Sequence, residues 1–491
     1  MPHNETSPSA EAGFSLADSS REHSVVARPH GTPSGLRFDM PLMFLCLILV
    51  VIPAQPQSTD SPKTPDKAPS AQRYANMPED AVPYRRFAKP YKEWYLDPNT
   101  LEYNGAARDR AATEIRGSKT VNIGFLGPIE DNPESLYGRA MLHGAQMAID
   151  EANANGGYRA SGMSSGKPYA LKVHNDAALW GASSTEAVKM DFNEHVVAVL
   201  GSVDGASTHI MLRVALKLEF PIVDTATTDP TVTETRIPWL LHNFPDDRQQ
   251  GYALAGYVFK ERQLKRIGVL RTQCRYARVG VQMFFDEAKR LGRVPVLEVK
   301  FERGDQDFST QLHMLQNAKI DGLVIWGEAP DAAIILKQMR SMSMKQPVFG
   351  PSRLAYQQLL ETAGPAAEGL VVTSASDPAR VDEKWQNFCK VYEGKFKEAP
   401  DAYATYAYDG MTMLIGAIEK AGLNRAKIMD ALREYHLKGF DGASGRAQFD
   451  YTLNNIAPVA LARVDQGKFV YWTAKRSEPS AAPAKDGGGD H

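Results

Sequence analysis

Between Lys119 and Trp472, short apolar runs alternate with longer helical patterns, and this alternation limits the possible folds more than any other feature of the chain. The runs read VNIGFLG, ALKVHND, VVAVLGS, FPIVDTA, RIGVLRT, VPVLEVKF, DGLVIWG, PVFGPS and EGLVVTSA. Near-continuous apolar strands separated by helices of about 10 to 20 residues are typical of parallel sheets that are covered on both faces. Because so many strands exceed one ordinary sheet, the sequence predicts an α/β fold with two doubly wound parallel-sheet lobes. Such lobes bind ligands at the carboxyl ends of their strands.

The stretch 121–157 shows this strand and helix unit most clearly. An apolar strand, VNIGFLGPI, is followed by a polar loop that ends at Tyr137 and by a helix that closes as AIDEANANGG. The helical spacing places Met141 and Ile149 on one buried face, and Gly156 suits a left-handed stop. The loop carries small, aromatic and turn-forming residues, which are suited to receiving a small ligand.

Two further loops that follow buried strands carry small polar residues where a ligand would sit. They read GSVDGAST and TATTDP, and their candidate contacts are Gly205, Ala206, Ser207, Ala226, Thr227 and Thr228. Backbone N–H groups and hydroxyls at the start of a helix favour an anion such as a carboxylate. Either loop could instead only cap its helix. The repetition of such residues after successive strands favours a ligand site.

The charge balance and the flanking segments limit the partners and the location. The chain has 56 Lys and Arg residues against 58 Asp and Glu residues, which gives no electrostatic reason to expect nucleic acid. Residues 41–54 form an apolar run with the length of a signal-peptide core, so we expect a periplasmic or otherwise exported protein; an uncleaved anchor is the alternative. Residues 84–103 are rich in aromatic side chains, which predicts packing against the chain's own domain or against a partner.

No enzyme or metal signature is convincing. The segment 162–166 fits the G-x-S-x-G pattern, but it joins a helix to the following strand, whereas a nucleophile elbow joins a strand to a helix. No dinucleotide fingerprint follows the first strand, no Walker loop is present and no histidine pair has a metal-ligand spacing. The sequence therefore predicts no catalytic residue, no cofactor and no metal site. Whether Cys274 and Cys389 pair is left open.

These signals occur in the order found in a known family. Residues 119–474 resemble the periplasmic leucine/isoleucine/valine-binding proteins, the amino-acid branch of the type I solute-binding receptors that serve ABC transporters. The resemblance rests on the GFLGP strand end, the AIDEANANGG helix end, the loops VLGSVDGAST and TATTDP, and the segment TYAYDGM. It implies two lobes joined by three crossovers, with a cleft that closes on a ligand by hinge motion.

The resemblance also implies where the lobes begin and end. Lobe one takes residues 119–246 and 373–457, and lobe two takes residues 247–372 and 458–474. The flanking segments are a leader with the signal peptide or anchor (1–54), a linker with the aromatic extension (55–118) and a disordered tail (475–491).

Ligand contacts of the family can be carried over to matching positions. The matches are aromatic residues at Tyr137, Tyr276 and Tyr403, a carboxylate at Asp247, and the loop residues Ala226 and Thr228, which meet the carboxylate and amino group of the ligand. These residue types make physical sense, because hydroxyls and amides suit an anion, a carboxylate suits an ammonium group and aromatic walls suit an apolar body.

Departures from the family pattern mark this chain as a divergent member. Gly205 stands where the family has the serine that grips the α-carboxylate, and Ser352 stands where it has the glutamate that pairs with the α-ammonium. An under-compensated buried charge is expensive. Glu328, in place of a frequent tyrosine, could restore the missing negative charge, whereas Arg353 could attract an acidic ligand.

The leading hypothesis is a non-enzymatic, exported receptor that captures a small polar organic ligand, an amino acid or a related acid or amide, and delivers it to ABC transporter permease subunits. The alternative is a sensor or regulator on the same scaffold that acts on a membrane partner without transport; the aromatic extension favours it, since simple transport receptors need no such segment. A hydrolase is a weaker third class, because only the misplaced serine motif supports it.

Overall fold

The computed structural model describes residues 118–130, 132–160, 163–235 and 237–473. The leader, residues 55–117 of the linker and extension, the tail and Gly162 of the serine motif lie outside the described residues. Among the helices that are described, none is long and apolar enough to cross a membrane.

The first sheet is built from residues 121–242. Its elements are β1 (Val121–Gly127), α1 (Ser135–Ala154), β2 (Tyr169–Asn175), α2 (Trp180–Phe192), β3 (Val199–Leu200), α3 (Gly205–Leu218), β4 (Ile222–Asp224), α4 (Thr231–Glu234) and β5 (Leu240–His242). The five strands are parallel and lie in the order β2-β1-β3-β4-β5. The strand order reverses beside β1, and a crevice outside the carboxyl ends of the strands at such a switch point is where open α/β sheets bind ligands.

The chain then enters the second lobe. Its elements are α5 (Asp247–Gly256), β6 (Ile267–Thr272), α6 (Arg275–Arg290), β7 (Leu297–Phe301), α7 (Ser309–Asn317), β8 (Gly322–Trp326), α8 (Ala329–Ser341), β9 (Val348–Gly350), α9 (Gln357–Ala363) and β10 (Val371–Ser374). A π-helical turn, Tyr257–Glu261, follows α5, and 3-10 turns lie at Ser352–Leu354 and Gly364–Ala367. Every strand of β6 to β9 is followed by a helix or turn, as the alternating pattern predicts.

Four helices and a small hairpin return to the first sheet before the chain ends in the second. They are α10 (Glu383–Phe396), α11 (Ala402–Ala421), α12 (Arg425–Arg433), α13 (Tyr435–Lys438), β11 (Phe440–Gly442) and β12 (Gly445–Ala447), and the chain closes with β13 (Ala460–Asp465) and β14 (Lys468–Thr473). The second sheet has seven strands in the order β14-β13-β10-β9-β8-β6-β7. The chain therefore crosses between the sheets three times, after β5, after β10 and before β13.

The prediction of an α/β fold with two doubly wound lobes is confirmed, with one difference in the second sheet. Strand β13 enters the sheet antiparallel to β10 after the last crossing, and β14 is antiparallel to β13 because the two strands form a hairpin. Gln466 and Gly467 form its turn with φ angles of 53° and 73°, the left-handed pair that two-residue hairpins favour. The proposed lobe boundary after residue 372 falls inside β10, whose Thr373 and Ser374 still pair with β13.

Each lobe has its own apolar core. The core of the first sheet includes side chains from β1 to β5 and from α10, α11 and α12, which explains why the chain must return to it. The second sheet is covered on both faces by separate apolar clusters. Helices α1 and α11 approach so closely that a Cβ on Gly144 would lie 1.9 Å from the carbonyl oxygen of Ala404. A side chain at that position would separate the helices and disturb the first core.

Candidate functional site

The carboxyl ends of the two sheets face each other between the lobes. Tyr137, in the first turn of α1, donates a hydrogen bond from its hydroxyl to Glu328 Oε2 after β8, at 2.8 Å. Arg353, after β9, donates from Nη2 to the carbonyl oxygen of Val203 after β3, at 3.4 Å. The loops that the sequence predicts as ligand-binding loops therefore meet at one interface, as the topology of open α/β sheets requires.

Two acidic and two basic side chains form what we call the four-charge cluster: Glu134, Arg303, Glu328 and Arg353. Arg353 Nη1 lies 2.7 Å from Glu328 Oε1 and 3.5 Å from Glu134 Oε1. Arg303 Nη2 lies 2.9 Å from Glu134 Oε1 and 3.3 Å from Glu328 Oε1. Each guanidinium thus contacts both carboxylates, so the charges compensate one another in a site that is largely buried.

Burial and charge act against each other on the two carboxyl groups of the cluster. Burial alone would raise the pKa of Glu328, but Arg353 and Arg303 lower that pKa below its ordinary value. For Glu134, burial prevails over Arg353 and the pKa is raised. Glu328 is therefore the more firmly ionised partner, and Tyr137 adds a hydrogen bond to it.

Aromatic rings hold the guanidinium of Arg353 and line the cleft beside it. Arg353 Cζ lies 3.9 Å from the ring centroid of Tyr276 and 5.3 Å from that of Tyr137, both within range of a cation–π contact. Tyr137 stacks on Tyr403 at 4.7 Å, and Tyr403 stacks on Phe244 at 5.0 Å. These rings give the site one apolar wall from each lobe.

Asp247 begins α5 at the first crossing between the lobes, and it is fully buried. Its Oδ2 accepts a hydrogen bond from Thr228 Oγ1 at 3.0 Å, and its backbone N–H donates to the carbonyl oxygen of Thr228 at 2.8 Å. Burial raises the pKa of the Asp247 carboxyl well above its ordinary value. A cation or strong donor placed against this carboxyl would relieve the cost of burying its charge.

Several buried polar atoms at this interface have no hydrogen-bond partner among the described residues. They include Ser207 Oγ, Asp247 Oδ1, Tyr276 OH, Ser352 Oγ, Tyr403 OH, Glu134 Oε2, Arg303 Nε and Arg353 Nε. Leaving a polar atom buried without a partner costs about 1–3 kcal/mol. Atoms from both lobes share this property, so the interface is suited to a small polar molecule that would supply the missing donors and acceptors.

The backbone N–H groups that the sequence offers as carboxylate donors are engaged locally instead. Ala206 and Ser207 donate from their amides to Asp204 Oδ2 at 2.8 and 3.1 Å. Ala226 and Thr227 donate from theirs to the side chain of the aspartate that ends β4, both at 3.0 Å. The capping alternative describes Ala206 and Ser207, because Asp204 caps the start of α3. Ala226 and Thr227 instead form a local turn with the aspartate, since α4 begins only at Thr231. The hydroxyl of Ser207 stays among the unpartnered groups.

Gly205 lies where two loops touch, and a second interlobe contact lies beside it. A Cβ on Gly205 would lie 2.6 Å from Asp229 Oδ2, so a serine there would displace that carboxylate. Asp229 accepts from Arg275 Nε of the opposite lobe at 2.7 Å. Arg275 Nη2 also lies 2.9 Å from Thr231 Oγ1 and 3.1 Å from His209 Nε2. We call this group the Arg275 contact; it fills the position that Gly205 leaves open.

The structure brings the predicted side chains together at one interface. Tyr137, Ser207, Thr228, Asp247, Tyr276, Glu328, Ser352 and Tyr403 all lie there, with Gly205, Ala206, Ala226 and Thr227 in the same loops. Ser352 donates from its amide to Gln250 Oε1 at 2.9 Å. Ser352 and Tyr403 also line an adjoining cavity of about 460 Å³. Their role as ligand contacts stays a prediction.

Sequence reasoning missed Glu134, Arg303, Asp229 and Arg275. Glu134 and Arg275 each stand within three residues of a predicted aromatic contact and at the start of the helix that follows a strand, so their positions carried a signal. Arg303 carried none, because its partner Glu134 is 169 positions away.

The remaining sequence features take no part in this site. Ser164 is exposed in the segment that joins α1 to β2, which is the reverse of a nucleophile elbow. Within the described part of the chain, Cys274 and Cys389 form no disulfide. Groups of three or more potential metal ligands are absent from the part of the chain that the structure describes.

The sequence and the fold of this chain are similar to those of known proteins. A family model described as periplasmic binding protein matches residues 120–468. The chain is 25% identical over 362 residues to Leu/Ile/Val-binding protein homolog 2 of Brucella abortus, which covers 72% of this chain and 93% of that protein. The crystal structure of a leucine-binding protein of Thermotoga maritima is 27% identical with a TM-score of 0.65, covering 72% of this chain and 98% of the other. A substrate-binding protein of Streptococcus pneumoniae in complex with isoleucine is 24% identical with a TM-score of 0.66, covering 72% and 99%.

Proposed function

This chain belongs to the periplasmic binding protein family, and from that membership we propose that it is an exported receptor that captures a small polar organic solute between its lobes and delivers it to an ABC importer. The solute class is an amino acid or a related acid or amide. Relatives are named for leucine, isoleucine and valine, but their sequences are only about a quarter identical to this chain. Their names therefore support the class of solute and do not identify the ligand.

The observation that carries the proposal is the set of unpartnered polar atoms buried at the interface. Ser207 belongs to lobe one, Tyr276 and Ser352 belong to lobe two, and Asp247 stands at the crossing between them. An amino acid offers an ammonium group for Asp247 and acceptors for the hydroxyls. Binding would therefore satisfy groups from both lobes at once, which a solute that binds one lobe alone cannot do.

Ligand binding of this kind favours the closed arrangement over an open one. In the closed arrangement the Tyr137 hydroxyl reaches Glu328, and Arg275 reaches Asp229, across the interface. A ligand that contacts both lobes adds its own interactions only when they are together, so it shifts the equilibrium toward closure. No bond is made or broken in this process, and the proposal assigns no catalytic residue.

A sensor that acts on a membrane partner without transport is the alternative. The aromatic segment 84–103 favours it, because a simple transport receptor needs no such extension. Adjacent genes for two permeases and two ATPases would support delivery, whereas an adjacent kinase gene would support sensing. Both readings share the same ligand site, so the binding experiment below tests what they have in common.

The test is thermal-shift screening of the purified protein against amino acids, amides, aromatic acids and dicarboxylates. A ligand that binds only the folded state raises the melting temperature as its concentration exceeds the dissociation constant. Asp247→Ala should abolish that rise, because it removes the buried carboxylate at the crossing. Asp150→Ala is the matched control, since Asp150 is exposed on α1 and should leave the rise intact. A rise that survives Asp247→Ala would show that the site lies elsewhere.

A further inference from the structure

We propose that the solute carries an uncharged hydrogen-bonding group, such as a carboxamide or hydroxyl, which the four-charge cluster of Glu134, Arg303, Glu328 and Arg353 selects against both aliphatic and ionised groups. The inference rests on the proposed function and narrows its solute class. In its simplest form, the ligand is an amino acid whose ammonium group meets Asp247 and whose side chain ends in a neutral polar group.

The charges of the cluster balance one another. With all four groups ionised, two guanidiniums face two carboxylates, and all four cation–anion distances lie between 2.7 and 3.5 Å. Arg353 therefore has no excess charge with which to attract an acidic ligand, and Glu328 has none to offer an additional cation. An ionised ligand group placed here would be a buried charge without compensation.

The cluster keeps hydrogen-bonding groups that its own members do not satisfy. Arg353 Nε is a donor and Glu134 Oε2 is an acceptor, both buried and both without a partner in the described part of the chain. A branched aliphatic side chain placed against them would leave both unsatisfied. A carboxamide carries an acceptor oxygen and a donor nitrogen, and a hydroxyl can act in either role, so neutral polar groups match what the cluster offers.

The side chains of the cluster are held rigidly in place. The guanidinium of Arg353 packs on the ring of Tyr276 at 3.9 Å and is 1% exposed. Glu328 is held by Tyr137 at 2.8 Å and by Arg353 at 2.7 Å. Neither side chain can turn toward water to make room for an apolar group without breaking these contacts. Polar side chains that are held in place discriminate between ligands more strongly than mobile ones.

The primary experiment is isothermal titration of the full wild-type protein with two matched sets. Leucine, glutamine and glutamate are similar in size and differ in their side-chain ends, and valine, asparagine and aspartate form a second set. We expect the amide to bind at least about 10-fold more tightly than the aliphatic and ionised members of its set. Tighter binding of leucine or glutamate would overturn the inference while leaving the receptor function intact. Failure of every solute in the wider screen to bind would overturn both.

Two variants test the mechanism of selection. Glu328→Gln keeps a hydrogen-bonding side chain but leaves the cluster with one excess positive charge, so glutamate should gain about 10-fold relative to glutamine. The double variant Arg353→Met with Glu328→Leu replaces the ion pair with apolar groups of similar size, so leucine should gain about 10-fold relative to glutamine. If the double variant does not fold, Glu328→Gln and the wild-type preference decide the question.

The matched control is the double variant Arg271→Met with Glu298→Leu. Arg271 and Glu298 form an ion pair at 2.6 Å between β6 and β7, outside the four-charge cluster. The same exchange there should leave the order of ligand preference unchanged. Equal shifts in the control and in the cluster variant would show that the preference reports general stability and would overturn the role of the cluster.

Discussion

The loops of lobe one and the four-charge cluster at the interface bury charged groups in different ways, and the difference separates folding from selection. In lobe one, buried aspartates such as Asp224 and Asp409 accept hydrogen bonds from nearby backbone amides, so their partners lie within their own lobe. In lobe two, Glu328 and Arg353 pair with each other and also contact Tyr137 and Val203 of the opposite lobe. Asp224 and Asp409 hold loops of lobe one in shape. The charges of the four-charge cluster, which include Glu134 of lobe one, reach full compensation only when the lobes are together.

The largest effect should come from removing the central cation of lobe two. Arg353→Ala leaves Glu328 and Glu134 buried with Arg303 alone, and breaking a buried ion pair in this way destabilises a protein by about 3–5 kcal/mol. The measurement is the free energy of unfolding from urea denaturation, with Arg463→Ala as the control.

The control residue Arg463 forms an ion pair in the same lobe, but this pair is exposed to solvent. Arg463 and Asp465 are about half exposed on β13, and exposed ion pairs contribute at most about 1 kcal/mol. A loss for Arg353→Ala as small as that for Arg463→Ala would mean that the cluster is solvated. The contrast between the lobes would then fail.

The next largest effect is on the pH dependence of the free energy of unfolding, to which one buried carboxyl of each lobe contributes. Burial raises the pKa of Asp409 to about 6, although Ser444 and Ala443 donate hydrogen bonds to it. A raised native pKa means that the folded state binds the proton more tightly, so this carboxyl makes stability fall as pH rises from about 4 to 6. The expected fall is up to about 3 kcal/mol. In Asp409→Asn that contribution should disappear, as urea unfolding at several pH values would measure.

Glu328 should change the stability with pH in the opposite direction. Burial raises the pKa of Glu328, but Arg353 and Arg303 overcome that effect and lower it below its ordinary value. Its contribution to stability is therefore present above the ordinary pKa of a glutamate and is lost as pH falls through the lowered value. The stability of wild type minus that of Glu328→Gln should rise with pH, whereas the corresponding difference for Asp409→Asn should fall. Slopes of the same sign would contradict the assignment of the two environments.

The sequence predicts the fold and the local contacts of lobe one, but it does not predict which charges meet at the interface. Alternating apolar runs fix the strands and helices, and parallel topology brings Tyr137, Asp247 and Tyr276 to one edge. Asp204 stands directly before α3, so its capping of Ala206 could have been predicted from local chemistry alone. The four-charge cluster could not, because its members come from separate loops and periodicity contains no information about which charges will meet across an interface.

The smallest effect should come from the Arg275 contact, where one partner is partly exposed. The side chain of Arg275 is 34% exposed and that of Asp229 is 4% exposed. Asp229 also accepts from Thr231 N at 2.9 Å within its own lobe, so it keeps a partner when the lobes separate. Arg275→Gln should therefore weaken the closed arrangement alone. We expect ligand affinity to fall by roughly 3- to 10-fold while the melting temperature without ligand stays nearly unchanged.

Titration of the best ligand from the screen, at low and high salt, measures this prediction. The affinity of the wild type should fall with salt more than that of Arg275→Gln, because the variant lacks the partly exposed ion pair. Arg463→Ala serves again as the control, since its ion pair lies within one lobe and should leave ligand affinity unchanged. A fall in melting temperature without any fall in affinity would show that the contact stabilises a lobe and has no part in closure. The interlobe character assigned to lobe-two charges would then apply to the four-charge cluster but not to Arg275.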